Sequence, residues 1–237
     1  MPSSFGMIRR ACACLAADAP VAEEEMITEE RLTTFINSMD EGLPADLAEL
    51  EKEALSAYVP IIRKDMQAFL KYMMYACKPA SILEVGTAVG FSALLMSEYA
   101  PDAHITTIEN YDKRIPVARE NIERFGRSDR IVLMEGDALE ILPTLSDPFD
   151  FIFMDAAKGQ YINYLPDILR LLNPGGTLVS DNVLQDGDVV ESKYAVVRRD
   201  RTIHTRMREY LYELKHNEAL VTVILPVGDG ITVSVKK

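Results

Sequence analysis

The sequence predicts an α/β fold, a doubly wound, mostly parallel seven-stranded sheet with N-terminal helices and a C-terminal antiparallel hairpin. Three observations support this prediction. Short apolar runs alternate with stretches of helical spacing, which is typical of parallel sheets covered on both faces. The first run ends in a glycine turn. The last two runs are separated by only five residues, too few for a crossover helix.

The N-terminal part precedes any strand. Residues 1–25 lack periodicity, and we expect them to form a mobile extension to a single domain over residues 26–237. A helix is predicted to begin near Met26, with Thr28 as its cap and acidic residues in its first turn. From Pro44 to Ala76 apolar residues recur at helical spacing, which predicts two or three helices that cover the sheet.

The strands are predicted from apolar runs bounded by polar residues or glycine. They are Ser81–Val85, His104–Glu109, Ile131–Met134, Phe149–Met154, Gly176–Asp181, Val221–Leu225 and Ile231–Lys236. Because only Pro226–Gly230 joins the last two runs, we predict that they pair as an antiparallel hairpin.

Composition limits the class of protein. No apolar run approaches the ~20 residues that cross a bilayer, so we expect no membrane contact. The three cysteines, Cys12, Cys14 and Cys77, are odd in number and lack metal-like spacing, which favours a reducing compartment and a cytoplasmic location. The net charge of −12 disfavours nonspecific attraction to nucleic acid.

One segment is basic although the chain as a whole is acidic. Residues 193–208 contain six basic side chains against Asp200 alone. The basic residues are Lys193, Arg198, Arg199, Arg201, Arg206 and Arg208. Such a cluster is either a site for phosphates or a helix with arginines on its solvent-exposed face, and the sequence leaves both interpretations open.

The first candidate site is the glycine turn after the first strand, where backbone can approach a ligand closely. A dinucleotide-binding turn would have glycines where Ala88 and Phe91 stand after Gly86, which weakens a dehydrogenase interpretation. Glu109 ends the second strand 23 residues after Gly86, where an acid commonly accepts both ribose hydroxyls. The alternatives are a tight connection at the glycine and a solvated carboxylate at the strand end.

Gly136, Asp137 and Ala138 follow the third strand, beside the expected position of an adenine ring. A simple Gly-Asp turn is the alternative at this point.

Polar residues also follow the fourth and fifth strands. Asp155 and Lys158 come directly after one, and Asp181 and Asn182 end the other. Neighbouring strand ends would bring two carboxylates and an amide oxygen together, and these hard ligands suit Mg²⁺ or a similar ion. Taken singly, the same residues could merely cap a helix or turn.

Together these motifs carry a resemblance. The chain from about Met26 to Lys237 resembles the caffeoyl-CoA and catechol O-methyltransferase family through Glu84–Ser92, Glu109, Gly136–Ala138, Asp155-x-x-Lys158 and Asp181-Asn182. The resemblance implies a Rossmann-like domain that binds S-adenosylmethionine. It also implies a divalent metal ion and a catalytic centre where Lys158 lies beside the attacking hydroxyl.

The residue roles follow from that resemblance. Expected cofactor contacts are Ile62, Glu84, Gly86, Ser92, Glu109, Gly136, Asp137, Ala138 and Asp155. Asp155, Asp181 and Asn182 are expected to bind the metal, and Asp155 and Lys158 to serve in catalysis. The family also suggests a homodimer.

A finer resemblance concerns the acceptor. Bacterial family members that methylate 5-hydroxyuridine at the tRNA wobble position, giving 5-methoxyuridine, are similar to this chain in Arg198–Ile203 and Leu225–Gly230. That likeness makes Arg198, Arg199 and Arg201 candidates for RNA contacts. A small catechol or related phenol remains the alternative substrate, followed by a non-catalytic S-adenosylmethionine-binding module and then a dehydrogenase.

Overall fold

The computed structural model describes residues 30–237. Its helices are α1 Glu30–Asn37, α2 Ala45–Ser56, α3 Lys64–Cys77, α4 Phe91–Tyr99, α5 Ile115–Arg124, α6 Ala138–Ile141, α7 Tyr161–Leu171 and α8 Arg201–His216. Its strands are β1 Ser81–Val85, β2 His104–Glu109, β3 Ile131–Glu135, β4 Phe149–Met154, β5 Leu172–Ser180, β6 Leu220–Leu225 and β7 Ile231–Lys236. The predicted extension and the Thr28 cap lie outside the described residues.

The strands form one seven-stranded sheet in the order β3-β2-β1-β4-β5-β7-β6. The first five of these are parallel, while β7 pairs antiparallel with both β5 and β6. The predicted fold class and the terminal hairpin are therefore confirmed. Strand order reverses between β1 and β4, and ligands of open α/β sheets bind in the crevice beside such a reversal.

Two apolar layers cover the sheet. Along β4, Phe151 and Phe153 pack into one layer, whereas Ile152 and Met154 pack into the other. Side chains alternate between the faces of a strand, so a strand buried on both faces has a continuous apolar run. Helices α2 to α5 contribute to the first layer, and α6, α7 and α8 to the second.

The β5 strand differs from its prediction. It begins at Leu172, four residues before the predicted start, and it ends at Ser180. Phe149 pairs with Leu172 and Phe151 with Thr177, so residues 173–176 bulge opposite a single residue of β4. Asn-Pro-Gly-Gly in this bulge reads as a turn in the sequence, which is why the strand start was wrong.

The basic segment is only partly helical, since α8 begins at Arg201 and turns and bends precede it. Cys77 is a free thiol, while Cys12 and Cys14 lie outside the described residues. Between residues 30 and 237, no helix combines the length and apolar character needed to span a membrane.

Candidate active site

A cavity of about 500 Å³ opens at the carboxyl ends of the parallel strands. This volume suits a small-molecule ligand. Many of the predicted site residues line it, namely Ile62, Gly86, Ser92, Glu109, Gly136, Ala138, Asp155, Lys158, Asp181 and Asn182. The fold thus brings the ends of five strands and the start of α3 around one space.

Gly86 lies where β1 enters the cavity, with φ of +105°. A Cβ at this position would collide with the backbone carbonyl of Asp155, at the end of the neighbouring strand. Glycine is therefore required by the packing of β1 against β4, in addition to any close approach of a ligand.

Glu109 is held at the end of β2 by backbone donors. One carboxylate oxygen accepts a hydrogen bond from the N–H of Ala88 at 2.7 Å. The other accepts from Tyr111 at 2.8 Å and Asn110 at 3.1 Å. The side chain is buried against the glycine turn, yet it lines the cavity. Glu109 is thus a rigid acceptor with capacity left for a ligand hydroxyl.

Glu84 does not line the cavity and is fully buried beneath it. The Thr107 hydroxyl donates to its carboxylate at 2.5 Å. Burial raises the pKa of Glu84 to about 7, although the hydroxyls of Ser92 and Thr107 oppose the shift. Its position supports the turn from below, and direct cofactor contact by Glu84 stays a prediction.

Asp137 acts as a helix cap in the structure. Its side chain accepts a hydrogen bond from the N–H of Leu139 at 2.9 Å, at the start of α6. Gly136 and Ala138 on either side line the cavity, whereas Asp137 is absent from the lining. The Asp137 side chain therefore has the role expected of a simple turn residue. A contact between Asp137 and the cofactor stays a prediction.

Asp155 and Asp181 share one electrostatic environment at the other side of the cavity. Burial and, to a smaller extent, the charge of Asp155 raise the pKa of Asp181 to about 7, against the opposing effects of the Asn182 N–H and Lys158. Burial likewise raises the pKa of Asp155, while the charge of Lys158 lowers it. The two carboxylates therefore lie near each other in a buried environment that disfavours the charged form of both.

This donor set fits a divalent ion. Mg²⁺ favours carboxylate and amide oxygens, and its charge would remove the repulsion between Asp155 and Asp181. Within residues 30–237, no three His, Cys, Asp or Glu side chains could hold a metal by themselves. The Asn182 amide and oxygens from water or an acceptor would therefore have to complete the coordination.

Asp229 is a site residue that sequence reasoning missed. It lies in the β6–β7 turn and lines the cavity with Arg63, at the start of α3. Arg63 Nη1 lies 2.8 Å from Asp229 Oδ1. Burial and the hydrogen-bonded Asp186 raise the pKa of Asp229, whereas Arg63 lowers it. The likeness noted at Leu225–Gly230 includes this residue, but an Asp between two glycines is ordinary in a hairpin turn, so the likeness did not indicate a role in the site.

Several arginines of the basic segment are bonded within the protein. Arg201 donates to the carbonyl oxygens of Val196 and Tyr194 at 3.2 and 3.1 Å. Arg206 and Arg208 likewise donate to backbone carbonyls. Arg198 is exposed, and Arg199, 85% exposed at its side chain, pairs with the adjacent Asp200. Of the three predicted RNA contacts, Arg201 therefore already uses its guanidinium to hold the loop that precedes α8.

Comparison with known proteins agrees with this arrangement. Residues 37–237 match the family described as O-methyltransferase. The chain belongs to this family. The match covers every strand of the sheet and every predicted site residue, so the O-methyltransferase assignment and the cavity rest on the same part of the chain.

Individual relatives align with part of this O-methyltransferase family member. A catechol O-methyltransferase from Niastella koreensis is 36% identical over 150 residues, which cover 61% of this chain and 66% of the relative. The chain therefore spans just under two thirds of that protein's length. A caffeoyl-CoA O-methyltransferase from Eucalyptus globulus is 34% identical over 184 residues, 71% of each chain.

Solved structures show the same fold over most of the chain. An SAH-bound methyltransferase from Podospora anserina superimposes with a TM-score of 0.80 and 29% identity, covering 94% of this chain and 100% of its own. An O-methyltransferase from Bacillus cereus in complex with SAH gives a TM-score of 0.77 and 25% identity, covering 87% and 97%.

Proposed function

We propose that this protein transfers a methyl group from S-adenosylmethionine to a hydroxyl oxygen, with the help of a divalent metal ion. The observation that carries the proposal is the shared cavity. Glu109 faces it from one side, and Asp155, Lys158 and Asp181 face it from the other. A cofactor held by the first group would meet an acceptor held by the second.

Cofactor binding would rest on β1, β2 and β3. The Glu109 carboxylate, fixed by three backbone N–H groups, would accept hydrogen bonds from both ribose hydroxyls. Ser92 and Ile62 line the same cavity, and Gly136 and Ala138 follow β3 where an adenine would lie. Two methyltransferases that share this fold are bound to SAH in their solved structures, which supports binding of S-adenosylmethionine by this chain.

The acceptor side must generate an oxyanion, because an ionised oxygen attacks a methyl sulfonium far better than a neutral hydroxyl does. A divalent ion, when bound, would stabilise that oxyanion. Asp155, Asp181 and Asn182 would hold the ion. Lys158 lines the cavity beside them, and in its neutral amine form Nζ would receive the hydroxyl proton and become an ammonium.

We propose 5-hydroxyuridine at the tRNA wobble position as the acceptor. Two exposed arginines, Arg198 and Arg199, support this choice because phosphates beside the target base need cationic partners. The segment that contains them follows cavity-lining Asn182 in the sequence.

A small catechol is the second candidate. The relatives named catechol O-methyltransferase favour it. A catechol and 5-hydroxyuridine each offer a hydroxyl next to another oxygen, so the same centre could serve both.

Parallel assays on both acceptors test the proposal. Purified protein with S-adenosylmethionine and Mg²⁺ is given tRNA containing 5-hydroxyuridine or a free catechol, and S-adenosylhomocysteine is measured with and without a chelator. We expect chelator-sensitive turnover, faster on the tRNA. Turnover on catechol alone would reverse the order of the two acceptors, and S-adenosylmethionine binding without turnover on either would favour a non-catalytic module.

A further inference from the structure

The carboxylate of Asp229 bridges a cation and a predicted metal ligand. Oδ1 lies 2.8 Å from Arg63 Nη1, and Oδ2 accepts a hydrogen bond from Asn182 Nδ2 at 3.1 Å. The Asp229 side chain is only 15% exposed. Both of its oxygens therefore have a partner on the inner side of the β6–β7 turn.

The backbone joins the same two segments. The N–H of Val183 donates to the carbonyl oxygen of Gly230 at 2.8 Å, and the N–H of Leu184 donates to that of Asp229 at 2.9 Å. A Cβ at Gly230 would collide with the Leu184 side chain, so the turn packs directly on the residues after β5. These contacts fix the position of the Asn182 backbone relative to the backbone of Asp229.

The backbone contacts leave the rotation of the Asn182 amide undetermined. That amide has a carbonyl oxygen, which can bind a metal ion, and an NH₂ group, which cannot. In the structure the NH₂ group of Asn182 faces Asp229 and donates to its Oδ2, and a carboxylate oxygen is an acceptor. The carbonyl oxygen is then the side-chain atom left available to a ligand.

Resting on the proposed function, we infer that Asp229 is a positioning residue that fixes the Asn182 side-chain amide with its oxygen available to the metal ion. Arg63 holds the Asp229 carboxylate in place from the start of α3. Asp229 is not itself an additional ligand in this inference, because its two oxygens are committed to Arg63 and Asn182. Supporting residues of this kind typically alter metal affinity by about 10- to 100-fold.

Magnesium binding to the full chain, measured by calorimetry without acceptor, tests the inference. We expect Asp229→Ala to weaken Mg²⁺ binding about 10- to 100-fold while the affinity for S-adenosylmethionine stays within about twofold. Asp188→Ala is the matched control. It removes an exposed carboxylate from the loop after β5 that does not line the cavity, and we expect its Mg²⁺ affinity to stay within about twofold of the wild type.

A double-mutant cycle separates orientation from loss of charge. Asn182→Asp provides two oxygens, so its ligand function needs no fixed orientation. In that background we expect Asp229→Ala to change Mg²⁺ affinity by about threefold at most. If Asp229→Ala costs the same factor in both backgrounds, or changes nothing in the wild type, the inference is wrong.

Two further results keep the test decisive. If Asp229→Ala lowers the melting temperature, Asp229→Ser, which suits a hairpin turn, replaces it with the same expectation. Equal losses of Mg²⁺ and S-adenosylmethionine affinity in both variants would indicate a purely structural turn and overturn the inference. A wild-type protein that binds S-adenosylmethionine but not Mg²⁺ would refute the proposed metal site, and the inference with it.

Discussion

Arg206 on α8 donates a hydrogen bond to the carbonyl oxygen of Gly159 at 3.0 Å, across 47 residues of chain. Gly159 directly follows Lys158. A Cβ at Gly159 would lie 3.5 Å from the Ile203 side chain, so α8 also packs closely on this segment. The backbone that carries Lys158 is therefore supported by a helix that does not line the cavity.

We expect Arg206→Ala to lower kcat about tenfold with little change in S-adenosylmethionine affinity, because a small displacement of a proton acceptor is costly. Initial rates and calorimetry measure the two effects. Arg208→Ala is the control, since Arg208 donates to Val189 instead. An equal fall in kcat for both variants would contradict a specific role for Arg206.

Glu109→Ala should weaken S-adenosylmethionine binding by roughly 10- to 100-fold, which corresponds to the roughly 1.5–3 kcal/mol of a hydrogen bond to a charged group. The matched control is Glu135→Ala, because Glu135 ends β3 as the cross-strand partner of Glu109 but does not line the cavity. Calorimetry compares the two. Unchanged affinity for Glu109→Ala would show that the carboxylate only organises its turn.

Asp181 predicts an unusual pH dependence of stability without metal. Its pKa is about 7 in the folded protein, against about 3.9 in an unfolded chain. The folded state therefore binds the proton more tightly, and stability falls as the pH rises from about 4 through 7.

We expect Asp181→Asn, in the presence of a chelator, to raise the free energy of unfolding at pH 8 by at least about 1 kcal/mol and to have no such effect near pH 4. Urea denaturation at the two pH values measures the difference. Saturating Mg²⁺ should stabilise the wild type more than the variant. A variant that is equally destabilised at both pH values would indicate lost packing instead.

The tRNA proposal predicts a salt effect. Replacing Arg198 and Arg199 with Ala should flatten the slope of log affinity against log salt by about 2, because each phosphate contact contributes about 1. Activity on a free catechol should survive. The control is a double variant on α5, Arg119→Ala with Arg124→Ala, which also removes two arginines. A tRNA salt slope identical to the wild type would remove the support that these arginines give.

Most of the fold could be predicted because a strand buried on both faces has a short continuous run of apolar residues in its sequence. The start of β5 could not be predicted. The sequence Asn-Pro-Gly-Gly is typical of a turn, but in the structure it forms a bulge within the strand. The candidate site was predictable where residues follow parallel strands, as for Asp155 and Asp181. Asp229 was not, because its importance arises from a hairpin turn that folds back onto Asn182.

The sheet order divides the cavity into two parts. Residues after β1, β2 and β3 lie on one side of the strand reversal, and those after β4, β5 and the β6–β7 turn lie on the other. Gly86 and Asp155 meet at the boundary. Because the two sides are built from separate connections, the loop after β5 is not part of the Glu109 side. Under the proposed function, this division would let relatives with this fold differ in the acceptor while they keep the same methyl donor.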